Sequence, residues 1–265
     1  MAKEHDPLTG KPPAEMPLKR APLLRVIAQV RFPVLMGIET SEQVAPFQTA
    51  LRNVYPVLRP EQVRRIVLDR RGQTEGPPSQ IWRFLDRAQG WRASLGSDFL
   101  ALETSTYSSR RDFLDRFSFL LRALVEHFNP PTVDRLGVRY IDRVSGEHVT
   151  KLAAFLRPEI SGVLSTSLRG RTSLSLSEAL LSPQEDASLR ARWGLLPPNT
   201  TPDPSAIEPL GEPNWILDLD MFSQRHTQFD ADALSRAAAA YAERIYAFFR
   251  WAVTEKFLAT FGGER

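Results

Sequence analysis

From Leu23 to Phe32 apolar and polar positions alternate. Leu24, Val26, Ala28, Val30 and Phe32 share one parity; Arg25, Gln29 and Arg31 share the other, with Ile27. A period of two predicts a half-buried strand. From Ser41 to about Tyr55 the period becomes helical, with Val44, Phe47, Leu51 and Val54 on one side. Ser41 stands where a cap is needed, and Pro56 and Pro60 stand where the helix should end. Strands are then predicted at Val63–Arg70, Gln80–Asp86, Trp91–Leu95 and Phe99–Thr104, separated by breaks at Gly72 to Ser79, Gln89-Gly90 and Gly96-Ser97-Asp98. Regular spacing with small turns reads as an antiparallel meander. Phe113, Phe117, Leu120, Leu121, Leu124 and Phe128 return to helical spacing from Ser109 onward, and Asn129-Pro130-Pro131 stops that helix.

The same order then restarts. Val133 to Val144 alternates, with Leu136, Val138 and Tyr140 on one face and Arg135, Arg139 and Arg143 on the other. A short helix is predicted at Val149–Leu156, and a loop between Arg157 and Arg171. Strands follow at Thr172–Leu180, Leu189–Leu196 and Trp215–Phe222, then one long helix from Asp230 to about Phe261, with Asp230 or Asp232 as cap and Gly262-Gly263 as stop. Two short matches reinforce the recurrence: Val30-Arg31-Phe32 with Val138-Arg139-Tyr140, and Leu102-Glu103-Thr104 with Leu219-Asp220-Met221. The expectation is an α+β fold of two similar β-α-β(n)-α halves, residues 21–131 and 132–265. Each would have an antiparallel sheet, the long C-terminal helix would lie on the sheet, and a pseudo-twofold axis would relate the halves. Residues 1–20, with Pro7, Pro12, Pro13 and Pro17, read as an extended arm. Residues 197–213, with Pro197, Pro198, Pro202, Pro204, Pro209 and Pro213, read as an exposed loop.

Composition narrows the classes. The 265 residues are 42% hydrophobic and 25% charged, enough to bury a substantial core. There is no cysteine, which excludes disulfides, thiolate metal sites and cysteine nucleophiles. No apolar run approaches the roughly 18 residues that span a bilayer, and the N-terminal stretch has no hydrophobic signal core. A cytoplasmic protein with no membrane partner is therefore expected. Thirty-four basic residues against 31 acidic give a net charge of +3, which permits anionic partners without demanding them.

The candidate chemistry is sparse. Arg31 and Arg139, one from each half, could bind a carboxylate or phosphate in bidentate fashion near the pseudo-twofold axis, with Glu103 and Asp220 holding them in place. The alternative is that each arginine pairs with an acid on a neighbouring strand, with Glu103, Asp218 and Asp220 as candidates. Asp218 and Asp220, spaced i, i+2, could join His226 as metal ligands or stay solvated or arginine-paired. The histidines His5, His127, His148 and His226 have no metal-motif spacing. The basic pairs Arg64-Arg65, Arg70-Arg71 and Arg110-Arg111, together with Arg169, Arg171, Trp82 and Trp91, could form a nucleic-acid surface, but acids interleave throughout. Trp91 and Tyr107 could line a groove. No phosphate loop, nucleophile elbow or kinase set is present, so no catalytic residue, metal or cofactor is expected.

Three segments carry a resemblance. Pro22-Leu23-Leu24 followed by Val26-Ile27 and Val30-Arg31-Phe32, then Arg135 to Arg143, then Leu217-Asp218-Leu219-Asp220 with a C-terminal helix ending near Thr254-Glu255-Lys256 and Phe261-Gly262, resemble the signatures of a sporadically distributed bacterial family with no assigned reaction. The resemblance covers the chain from about residue 20 and implies a bacterial cytoplasmic protein. It carries no catalytic residues, and patchy distribution associates with mobile or defence loci. The Pro-rich stretch at 197–213 departs from it. The functional expectation is a non-enzymatic binding module for a protein partner, a second copy of itself or a small anionic ligand. A nucleic-acid-binding component and a metal-dependent hydrolase using Asp218, Asp220 and His226 are the alternatives.

Overall fold

A computed structural model describes residues 6–69 and 72–263. The chain forms two compact units. The first comprises Met1–Val26, Val138–Ser223 and Ala239–Arg265; the second comprises Ile27–Gly137 and Gln224–Ala238. The division passes through two strands, β1 (Leu23–Arg31) and β7 (Arg135–Val144). They are antiparallel partners inside each unit. The Asp134 N–H donates to the Arg31 carbonyl at 2.8 Å in the second unit, and the Arg143 N–H donates to the Pro22 carbonyl at 2.7 Å in the first.

In the second unit the chain leaves β1 through helix α1 (Ser41–Leu51) and enters a meander of β2 (Val57–Asp69), β3 (Gly72–Leu85), β4 (Trp91–Gly96) and β5 (Phe99–Thr104). The strand order is β2-β3-β4-β5-β1, so the meander starts at the far edge and returns to lie beside β1. Helix α2 (Arg110–Phe128) follows. The Ser109 hydroxyl accepts from the Asp112 N–H at its start, and Asn129, at φ 43°, closes its end. The apolar stripe read from the sequence is the buried one: Phe113, Phe117, Leu120, Leu121 and Leu124 are all buried. Phe47 of α1 meets Phe84 of β3 at 5.6 Å and Phe128 of α2 at 5.7 Å, which ties both helices into one core. A short pair, β6 (Thr132–Val133) with β11 (Thr227–Gln228), completes the unit.

In the first unit the connections are of a different kind. After β7 come a 3₁₀ turn at Gly146–Lys151 and two short helices, α3 (Leu152–Phe155) and α4 (Pro158–Ser161). Strands β8 (Ser175–Gln184), β9 (Ala187–Leu196) and β10 (Asn214–Ser223) follow, in the order β7-β10-β9-β8. Helix α5 (Ala231–Ala252) begins where Asp230 Oδ1 accepts from the Asp232 and Ala233 N–H groups at 2.9 and 3.0 Å. From Ala239 onward it buries Tyr241, Ala242, Ile245, Phe248 and Ala252. The α+β class, the antiparallel pairing and the C-terminal helix packed on the sheet are as expected.

Several local expectations are corrected. Strands β2 and β3 form a hairpin much longer than the two short strands predicted. Pro60 is tolerated because β2 is the edge strand, and Pro78 because only Ile81–Leu85 of β3 pairs on its second side. Thr40, not Ser41, is the cap residue of α1, and it makes no side-chain cap bond. The last helix is broken: Val253 bridges Leu156, and the Thr254 hydroxyl donates to the Ala154 carbonyl at 2.8 Å while accepting from the Phe257 N–H to start α6 (Glu255–Thr260). The stretch from Arg157 to Arg171 is helical in part, with α4 and 3₁₀ turns at Gly162–Ser165 and Arg169–Arg171. Residues 6–20 lie against α5 and α6: Arg244 Nη1 donates to the carbonyls of Pro7 and Gly10, and Leu18 bridges Gly263.

Gly194 shows how closely β8 and β9 approach. It lies opposite Leu176 with φ +159°, and a Cβ there would stand 1.8 Å from the Ser175 carbonyl oxygen. Gly194→Ala should push β8 off β9 and lower stability by about 2 kcal/mol or more. Chemical denaturation measures the loss, and hydrogen exchange should localise it to β8.

Candidate functional site

Four strands of the first unit place charges of alternating sign in one row. Strand pairing sets Glu178 opposite Arg192 and Arg192 opposite Asp218, and Asp218 of β10 meets Arg139 of β7. Arg192 Nε donates to Glu178 Oε2 at 2.6 Å. Arg139 donates through Nε to Asp218 Oδ1 at 2.7 Å and through Nη2 to Oδ2 at 2.8 Å, a bidentate pair. The i, i+2 spacing that puts Asp218 and Asp220 on one face brings the second acid to Arg190, whose Nη2 lies 3.2 Å from Asp220 Oδ2. Asp218 is only 2% exposed, so its charge depends on these donors.

The row also receives residues 197–213. Arg139 Nη2 reaches Asp203 Oδ2 at 2.8 Å, and Arg192 Nη1 donates to the Pro202 carbonyl at 3.4 Å. Arg143 Nη2 donates to the Glu208 carbonyl, and Arg25 stands 3.8 Å from the Glu208 carboxylate. Within the loop Asp203 organises a turn. Its Oδ1 accepts from the Ser205 N–H and hydroxyl, and its carbonyl accepts from the Ala206 and Ile207 N–H groups. Ala206 and Ile207 are buried. The loop is largely exposed, with Pro198, Pro204, Pro209 and Pro213 all on the surface, but it is pinned to the unit at Asp203, Ala206 and Ile207. Burial works against the Arg139 charge, but the hydrogen bonds and charges of Asp218 and Asp203 outweigh it, and its pKa rises above the ordinary arginine value. Burial raises Asp203, yet hydrogen bonds from Ser205 and Arg139 bring it below the usual carboxylate range.

The four residues proposed as ligand contacts are thus distributed as follows. Arg139 is engaged by Asp218 and Asp203, which is the strand-pairing alternative. Asp220 faces Arg190. Glu103, in the second unit, is ion-paired to its cross-strand neighbour Arg92. Arg31 is exposed at the end of β1. The metal alternative loses its geometry as well. His226 Nδ1 lies 3.0 Å from Asp134 in the second unit, Asp218 and Asp220 are paired with arginines in the first, and among the described residues no group of three or more His, Cys, Asp or Glu is placed to hold a metal. Trp82 and Trp91 are buried, Trp82 donating to the Ile38 carbonyl at 2.7 Å and Trp91 lying under Arg116 at 4.3 Å, so neither offers a face for base stacking. Trp91 and Tyr107 both pack on Phe113. His127 packs on Phe47, and His148 on Phe155 and Phe261. His5, Arg70 and Arg71 lie outside the described residues, as do the side chains of Arg64 and Arg65.

Two features were missed in the sequence. Asp142 shares the parity of Val138 and Val144 on β7, so its carboxyl points to the apolar side and is buried. Desolvation pushes its pKa up to about 7. That parity was readable. The second feature is a cavity of 440 Å³ in the first unit, lined by Val149, Leu152, Leu164 and Leu195 with Arg169 among them. Arg169 Nη2 donates to the carbonyls of Val149, at 3.2 Å, and Thr150. Among the described residues its Nε and Nη1 make no hydrogen bond. Nothing in the Gly/Ser-rich segment around it announced this.

No protein-family model matches the chain, and no curated protein matches it significantly.

Asp142 yields a pH prediction. The folded chain holds its proton up to about pH 7, whereas the unfolded chain releases it near the ordinary aspartate value of 3.8. Between those values the folded state binds the extra proton, so stability falls as pH rises from the lower to the upper. Asp142→Asn should flatten the stability profile over that window and should be more stable than the parent at pH 8, by up to about 4 kcal/mol. Denaturant midpoints measured across that range provide the check.

Proposed function

We propose that the chain is a non-enzymatic binding module for a small amphiphilic anion, held in the cavity of the first unit. The observation that carries this reading is Arg169: a guanidinium fixed by two backbone carbonyls beside an apolar cavity, with Nε and Nη1 unengaged among the described residues. Anchoring through Nη2 reduces the entropy lost when an anion docks on the remaining donors. The cavity volume of 440 Å³ lies within the roughly 300–1,000 Å³ common for small-molecule sites. Val149, Leu152, Leu164 and Leu195 would hold the apolar body, and Arg169 the carboxylate or phosphate. Arg139, with Asp218 and Asp203, acts in this reading as a structural anchor. Arg31 remains available to an anionic partner.

We also read the two units as copies of one ancestral module. The strand orders support this. The opening strand lies beside the last meander strand in each unit, β1 beside β5 and β7 beside β10, with β4 and β9 next outward. Each unit's meander is followed by a long helix, α2 or α5. Among the described residues the sheet order of the second unit has one strand more, and the short β6–β11 pair is added to it.

Calorimetry with decanoate, uncharged decanol and decyltrimethylammonium tests the ligand class. Decanoate should bind, and the other two roughly 10-fold or more weakly. Arg169→Gln should erase the preference for the anion. Leu164→Trp, which fills the cavity, should abolish binding by all three. Equal binding of decanoate and decanol, or binding untouched by Leu164→Trp, contradicts the assignment.

A further inference from the structure

The open edge of the first unit's sheet has the character of a pairing surface. β8 is the last strand in the order β7-β10-β9-β8, so its outer N–H and C=O groups have no neighbouring strand among the described residues. Edge strands are usually blunted by lysine, proline, a bulge or short length. In the ten residues of β8 there is no lysine, and both Pro183 and the register shift fall after Leu181. From Ser175 to Leu181 the one charged side chain is Glu178, whose carboxylate is taken by Arg192 of the neighbouring strand. The apolar side chains there are turned outward: Leu176 is 44% exposed and Leu180 68%, with Leu174 just before the strand at 54%.

We infer that this edge pairs with the β8 edge of a second copy of the chain, antiparallel, about a twofold axis through Glu178. The sequence of β8 is self-complementary in that register. Leu176 of one copy falls opposite Leu180 of the other, and Leu180 opposite Leu176, so both exposed leucines are covered by their counterparts. On the opposite face Ser177 and Ala179 meet, small enough for close approach. Glu178 meets Glu178, and each carboxylate already receives Arg192 Nε of its own chain at 2.6 Å, so the axis is crossed by compensated charges rather than by two bare ones. An unrelated extended peptide would share the backbone bonds but has no reason to match both leucines at once.

Sedimentation of the full chain and thiol cross-linking decide the matter. The parent should sediment as a dimer at about 100 μM, and the double variant Leu176→Lys/Leu180→Lys should raise the dimer dissociation constant roughly 100-fold or more while keeping the parent's circular dichroism. Because the chain has no cysteine, Glu178→Cys supplies a single thiol at the axis. Oxidation should join it into a covalent dimer, whereas Ser205→Cys, exposed on the loop, should stay uncrosslinked under the same conditions. A monomeric parent at that concentration, a dimer indifferent to the two lysines, or equal cross-linking at positions 178 and 205 would overturn the inference.

Discussion

The row of charges from Glu178 through Arg192 and Asp218 to Arg139 is the constraint on which most of the first unit depends. Asp218 lies almost wholly out of water, and an ionised carboxylate there is tolerable only with donors fixed on it. The bidentate arginine on β7 supplies them, and the same guanidinium takes Asp203 from the 197–213 segment. One side chain therefore serves strand register and loop placement together. Without it the loop would lose an anchor, and Asp218 would be a buried charge without its chief partner.

Strand β9 connects this polar row to the surfaces given a functional reading. On one face it contributes Arg192 to the row. Its Gly194 lets β8 approach closely enough to pair, leaving β8 as the open edge. Leu195, of opposite parity, lines the cavity beside Arg169. The polar face is thus spent on holding the unit together, and the surfaces proposed for a ligand and for a second copy are the cavity and the outer strand. The same economy explains why Arg139, the most conspicuous arginine in the sequence, is a poor anion receptor: its carboxylates are already built in.

How much was legible varied with how local the determining physics was. β5 came out at Phe99–Thr104 as read, because Gly96-Ser97-Asp98 and the following serines bound it. α2 came out within a residue, because the stripe from Phe113 to Phe128 and the Ser109 cap are local signals. The β2–β3 hairpin was underestimated, because prolines were taken as breakers when position at an open edge makes them harmless. The pairing of Arg139 with Asp218 was among the readings because strand parity restricts an arginine's partners. Asp203 was out of reach, since no periodicity says where an irregular segment lands. Asp142 could have been found by counting parity along β7. The cavity could not, since it arises from residues as far apart in sequence as Val149 and Leu195.

The most direct test is a double-mutant cycle on the buried pair, using Arg139→Met, Asp218→Leu and both together, with unfolding free energies from denaturant titration. The account predicts that Asp218→Leu and Arg139→Met each cost about 3 kcal/mol or more, and that the double variant recovers a large part of that loss, because neither charge is then left unpaired in the interior. Costs that simply add, or single variants within about 0.5 kcal/mol of the parent, would mean that the row does not hold the unit together.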